Sequence, residues 1–117
     1  MNNKRKIGTE YEQIASDYLK MKGFEIVENN FYSRHCEIDI IAKDKEVIVF
    51  VEVKYRRDDH KGSPLEAINY RKKNNIIRAA KYYLHKNYYG QEVTSRFDVV
   101  SIEGDEISLI KDAFWIN

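Results

Sequence analysis

Four ionisable side chains stand inside two short apolar stretches, where charge is out of place. Glu37 and Asp39 belong to Cys36-Glu37-Ile38-Asp39-Ile40-Ile41-Ala42, and Glu52 and Lys54 close Val47-Ile48-Val49-Phe50-Val51-Glu52-Val53-Lys54. A carboxylate or an ammonium buried among Ile, Val and Phe is costly unless it is paired or holds a ligand. Carboxylates offer hard oxygen ligands of the kind that Mg²⁺ and Mn²⁺ prefer. A lysine beside them can offset the negative charge of a reacting phosphate. Three acids and one lysine clustered in this way point to a divalent-metal site for phosphate chemistry.

Two strands must position these groups. Both stretches are rich in residues that favour strands, and Lys43-Asp44-Lys45-Glu46 between them is turn-like. Alternation places Val47, Val49, Val51 and Val53 on one face and Ile48, Phe50, Glu52 and Lys54 on the other. An even loop centred on Asp44-Lys45 sets Lys43 opposite Glu46, Asp39 opposite Phe50 and Glu37 opposite Glu52. Asp39 then becomes the diagonal neighbour of Glu52, about 7–8 Å away at the backbone, a gap that two carboxylate side chains close onto one cation. An odd loop would turn Asp39 onto the valine face, against the chemistry of a charge.

The remaining elements follow in order. Ile7, Tyr11, Ile14, Ala15, Tyr18 and Leu19 form the stripe of an amphipathic helix over residues 7–22, with Gly23 as its stop. Glu10 and Glu12 flank that stripe, and periodicity does not choose between them. Residues 24–32 read as a first strand, linked by Ser33-Arg34-His35 to the central hairpin. His35 is given no catalytic role, and Cys36, without a partner at metal spacing, reads as a packed thiol. After the polar loop 55–62, Ser63, Pro64 and Glu66 form a capping box. The helix that follows ends near Tyr89-Gly90 and carries Arg71, Lys72, Lys73, Arg78, Lys81 and Lys86. Tyr82, Tyr83, Tyr88 and Tyr89 can stack on bases, but tyrosines at helical spacing are read first as core. Residues 96–102 form another strand, 107–110 a short last one, and Ala113-Phe114-Trp115-Ile116 an apolar tail. The order is α-β-β-β-α-β with a small terminal strand, a helix-flanked mixed sheet of α/β or α+β class.

Composition bounds the answer. The chain of 117 residues suits one domain, and 43% hydrophobic with 33% charged residues is ordinary for a soluble one. No apolar run is long enough to span a membrane, and the start Met1-Asn2-Asn3-Lys4-Arg5-Lys6 leads into no signal-peptide core. One cysteine excludes an internal disulfide, so a cytoplasmic setting is expected. Net charge is +1, but residues 54–87 hold ten Lys/Arg against three Asp/Glu. That run is either a solvated helix face or a phosphate-binding surface.

Asp39 followed thirteen residues later by Glu52-Val53-Lys54 resembles the signature of PD-(D/E)XK nucleases. More of the chain resembles one branch, the YraN-like family, related to archaeal Holliday-junction resolvases. The likeness runs through Gly8, Glu12, Ala15, Leu19, Gly23, Asn30, Glu37-Ile38-Asp39, Phe50 to Lys54, Arg56, Gly62, Glu66-Ala67, Lys72 and Arg96 to Val100. Tyr11 and Cys36 stand where that family usually has glycine, and Ile38 precedes Asp39 in place of the signature proline. The resemblance selects Glu12 over Glu10 as the helix acid. It implies a restriction endonuclease-like core over residues 1–117 and Mg²⁺ or Mn²⁺ held by Asp39, Glu52, the Val53 carbonyl and Glu12. Glu37 would assist the metal, Lys54 the attacking water or the phosphate. Arg56, Arg71, Lys72 and Lys73 would contact nucleic acid. The expected activity is hydrolysis of phosphodiester bonds in DNA, structured or branched, with a homodimer left open. The alternative is a nucleic-acid-binding or adaptor domain that keeps the fold and does not cut.

Overall fold

The computed structural model describes residues 3–34, 36–56 and 70–114, with side chains from Glu10 onward. The apolar alternation of the sequence pairs into one five-stranded mixed sheet in the order β1-β2-β3-β4-β5. The elements are α1 (Asn3–Met21), β1 (Glu25–Tyr32), β2 (Glu37–Asp44), β3 (Val47–Arg56), α2 (Tyr70–Tyr88), β4 (Ser95–Glu103) and β5 (Glu106–Phe114). β3 and β4 are parallel, joined by a crossover that contains α2, and every other neighbouring pair is antiparallel. The expected α-β-β-β-α-β order is present, extended by β5. The capping box at Ser63, Pro64 and Glu66, the polar residues Asp58, Asp59 and His60, and His35 lie outside the described residues.

Each helix covers one face of the sheet. Ala15 and Leu19 of α1 pack on Ile40, Ala42, Val49, Val51, Val53, Val100 and Ile102. Ile76, Ala79, Ala80 and Tyr83 of α2 pack on Phe31, Ile41, Ile48, Phe50, Phe97 and Val99. The valine face of β3 therefore belongs to α1, and the Ile48/Phe50 face to α2. Side chains such as Leu19, Phe50 and Val49 are almost wholly removed from water, each worth roughly 1.5–3 kcal/mol of hydrophobic stabilisation. α1 ends at Gly23, whose φ of 95° only glycine adopts at no cost. Phe24 N–H then donates to Leu19 O and Gly23 N–H to Lys20 O, both at 3.0 Å, which closes the helix and turns the chain into β1.

Two expectations need correction. The turn between β2 and β3 is Lys45-Glu46, with Asp44 paired to Val47 and Lys43 to Ile48, instead of a loop centred on Asp44-Lys45. Asp44 stays in the strand because Arg96, from β4, holds its carboxylate at 3.0 Å, and Lys45 takes the φ of 58° that the tight turn requires. The loop remains even, so the faces of Ile40, Ile41 and Ala42 are as expected, but alternation breaks at Asp39, with Ile38 in the α2-side core and Ile40 in the α1-side core. The register moves by two residues, and Asp39 stands one step beyond the Ile40–Val51 pair, level with Glu52 and not diagonal to it. The second correction concerns the last strand, which runs to Phe114 and takes in Ala113 and Phe114 of the expected tail. A register shift between Phe97 and Val99 on β4 lets it continue: Asp112 adopts φ 56° there and donates its N–H to Asp98 at 2.9 Å.

Candidate active site

The β2–β3 ladder stops at Ile40–Val51, and beyond it the backbone gives way to side-chain contacts. Val53 N–H donates to Asp39 Oδ2 at 2.9 Å, which pins the Asp39 side chain against β3. Here a cavity of about 340 Å³ opens, lined by Glu12, Asp39, Glu52, Val53, Lys54, Tyr55 and Lys72. Elements from both sheet faces contribute: Glu12 reaches in from α1 and Lys72 from the start of α2, with β2 and β3 as the floor.

Two groupings of charge share this end of the sheet. One oxygen from each of Glu12, Glu37 and Asp39 lies within 4.8 Å of the others, an arrangement that one cation can bridge. Beside it Glu52 is only 7% exposed. Its Oε2 lies 2.8 Å from Lys72 Nζ and 3.9 Å from Lys54 Nζ. Both are ionic contacts, and the shorter one is within hydrogen-bond distance.

The electrostatics follow from crowding. Burial, together with the neighbouring Glu52, pushes the Asp39 carboxyl up to about 9, against the pull of the Val53 N–H. Burial also opposes the charge on Glu52, but the hydrogen bond from Asp39 and the ammonium groups of Lys72 and Lys54 prevail and hold it below the usual carboxylate range. The two carboxyls therefore titrate as a pair, Asp39 pushed up and Glu52 held down, as two crowded acids that share a proton do. Burial and the Glu37 charge raise Glu12, while a hydrogen bond from Asn30 works the other way. Lys54 is lowered by burial and by the Lys72 charge, although Glu52 opposes the shift. Burial acts on Lys72 in the same sense, yet its contact with Glu52 dominates and raises it.

Of the residues expected at the site, Glu12, Asp39, Glu52, Val53, Lys54 and Lys72 line the cavity, and Glu37 joins through the carboxylate cluster. Glu10 is exposed on α1. The other expected nucleic-acid contacts are dispersed. Arg56 ends β3, half-buried, with its carbonyl accepting Gly104 N–H at 3.0 Å. Arg71 is exposed, and Lys73 points away from the cavity with its ammonium 5.9 Å from the Phe114 ring centre. Tyr11 does not fill the cavity: it stacks on Tyr55 with ring centres 4.1 Å apart. Cys36 is half-buried against the α2-side core, and burial raises its thiol.

Sequence reasoning assigned no role to Asn30. This strand residue adopts φ 53° and hydrogen-bonds Glu12, so it positions the helix acid over the cluster. The Asn29-Asn30 pair inside a strand is the signal that was available, because asparagine is poor in strands and tolerates the left-handed region.

The sequence profile of the uncharacterised protein family UPF0102 matches residues 11–102, which span the whole site. The chain belongs to that family. A UPF0102 protein of Photobacterium profundum is 48% identical over 89% of this chain and 84% of its own length. Similar UPF0102 proteins occur in Chlorobium chlorochromatii, at 42% identity over 98% of this chain and 95% of its own, and in Clostridium botulinum, at 47% over 94% of each. Among the described residues no helix is long and apolar enough to cross a membrane.

Proposed function

We propose that this UPF0102 protein is a metal-dependent nuclease of the PD-(D/E)XK type that hydrolyses phosphodiester bonds in DNA. The observation that carries the proposal is Glu52, a carboxylate 7% exposed on an apolar strand, set beside three further acids and two lysines. Folding gains nothing from such a group directly after the apolar run Val47 to Val51, since an apolar residue there would be cheaper. A hard divalent cation fits the oxygens present. Asp39 and Glu52 would hold Mg²⁺ or Mn²⁺ with Glu12, Glu37 and the Val53 carbonyl near, and the bound ion would supply a water of lowered pKa.

The protein's own groups then have distinct tasks. Val53 N–H holds Asp39, and Asn30 holds Glu12, so neither acid must be ordered when substrate arrives. Lys54, half-buried and facing the same cavity, offsets charge that builds on the phosphate during attack. Lys72, partly exposed, balances Glu52 at rest and offers a cation to the substrate phosphates. A cleavage screen with Mg²⁺ and Mn²⁺ over duplex, single-stranded, flap and four-way-junction DNA tests the proposal. Activity lost on Asp39→Asn and Glu52→Gln supports it; a parent no more active than those variants on every substrate refutes it.

A second reading rests on the 2.8 Å Lys72–Glu52 contact. An ion pair that neutralises the buried carboxylate from within lets the fold stand without metal, as a nucleic-acid-binding or adaptor domain would require. The two readings separate on whether Mn²⁺ changes the melting temperature.

A further inference from the structure

Tyr32, Ser33 and Arg34, where β1 ends, and Tyr82, on the outer half of α2, line a second cavity of about 560 Å³. Tyr32 is 67% and Tyr82 50% exposed, whereas the adjacent Tyr83 is 4% exposed and sits in the core. Rings so exposed leave much of their surface open to a ligand. The cavity is held on both sides. Tyr82 rests against Phe31, ring centres 6.1 Å apart. Ser33 N–H donates to Cys36 O at 3.1 Å, and Cys36 N–H donates back to Ser33 Oγ at 3.3 Å. Among the described residues that line the cavity, Arg34 is the charged one and offers a guanidinium beside the two rings. The cavity is also next to the carboxylates: Tyr32 is the cross-strand partner of Glu37, whose side chain belongs to the Glu12–Glu37–Asp39 cluster.

We propose that Tyr32, Arg34 and Tyr82 form a stacking platform for an unpaired nucleobase of DNA, so that the substrate carries a single-stranded segment beside the phosphate to be cut. An aromatic face accepts any base and a guanidinium accepts the backbone phosphate. In a continuous duplex the base faces are covered by their neighbours, and the platform has nothing to grip. The inference rests on the nuclease reading for the cut, but its binding step is independent of it.

The experiment is fluorescence anisotropy in EDTA, which removes cleavage, with a labelled 20-nucleotide single strand and a blunt duplex of equal length. The parent binds the single strand more tightly. Tyr32→Ala and Tyr82→Ala each weaken single-strand binding by about 5- to 100-fold, the range set by one lost base stack. Tyr32→Phe and Tyr82→Phe retain it, and duplex affinity stays within about 2-fold. Melting curves establish that each variant is folded; if Tyr82→Ala is not, Tyr32→Ala decides. Folded Ala variants that bind single strand like the parent overturn the proposal, as does a parent with equal affinity for duplex. A dimer that dissociates on Tyr32→Ala with DNA affinity unchanged overturns it too, by making the patch a subunit contact. Cleavage by the parent together with parent-like binding of the Ala variants sinks the platform alone. The expected binding losses in a protein that never cuts sink the nuclease reading alone.

Discussion

Replacing Lys72 by Met keeps the side-chain bulk and removes the cation that faces Glu52. At 2.8 Å the gross attraction is about 6 kcal/mol for an effective dielectric near 20. Two facts reduce it. Lys72 is 44% exposed, so water screens the pair, and Lys54 at 3.9 Å still balances part of the Glu52 charge. A net loss of roughly 1–2 kcal/mol is expected, well below the 3–5 kcal/mol of a fully buried pair that loses one partner. For a chain of this size that is a fall of about 3–10 °C in melting temperature, measured in EDTA. Titration with Mn²⁺ should then shrink the deficit, because a divalent ion takes over the charge balance of Glu52 and no longer competes with an ammonium for it. Lys73→Met, one residue along but turned toward Phe114, is the control and should stay within about 0.5 kcal/mol of the parent. The reasoning is refuted if Lys72→Met melts with the parent in EDTA, or if its deficit is the same at every Mn²⁺ concentration.

Lys54→Ala should lower cleavage by about 100-fold or more, a loss of roughly 3 kcal/mol at the chemical step, while the Mn²⁺ effect on melting persists; single-turnover rates and melting curves check both. Metal affinity should rise with pH up to about 9, because the ion must displace the proton that Asp39 shares with Glu52, and isothermal titration in two buffers of different ionisation heat should detect its release. The same raised group makes the folded metal-free protein bind more protons than the unfolded chain. Its contribution to stability is therefore complete below about 4 and lost as pH rises toward about 9, and Asp39→Asn should flatten that dependence in urea titrations at a series of pH values. Arg96→Leu should cost about 3–5 kcal/mol by urea unfolding, since it strands the 1%-exposed Asp98 that Arg96 grips with two hydrogen bonds of 2.8 and 2.9 Å.

The amino-acid sequence by itself determined the elements and the faces. The valine alternation of β3 dictates which side meets a helix, and an even turn puts Asp39 with Glu52 whichever pair of residues occupies it. Gly23 after the Leu19 stripe closes α1, because the positive φ there suits glycine and the stripe must be buried. These are local properties of one or two turns of chain. Tertiary structure decided what depends on partners far along the chain. Arg96, 52 residues from Asp44, fixes the hairpin turn and so brings Asp39 level with Glu52. The left-handed Asn30 of β1 positions Glu12 of α1, a contact that the periodicity of neither element contains. On α2 successive side chains turn by about 100°. Lys72 therefore meets Glu52 while Lys73 meets Phe114, and Tyr83 fills the core while Tyr82 faces solvent. Composition marks all four only as cations and rings on a helix; the phase of the helix on the sheet, set by how Ile76, Ala79 and Ala80 seat on Phe50 and Phe97, assigns each its neighbour.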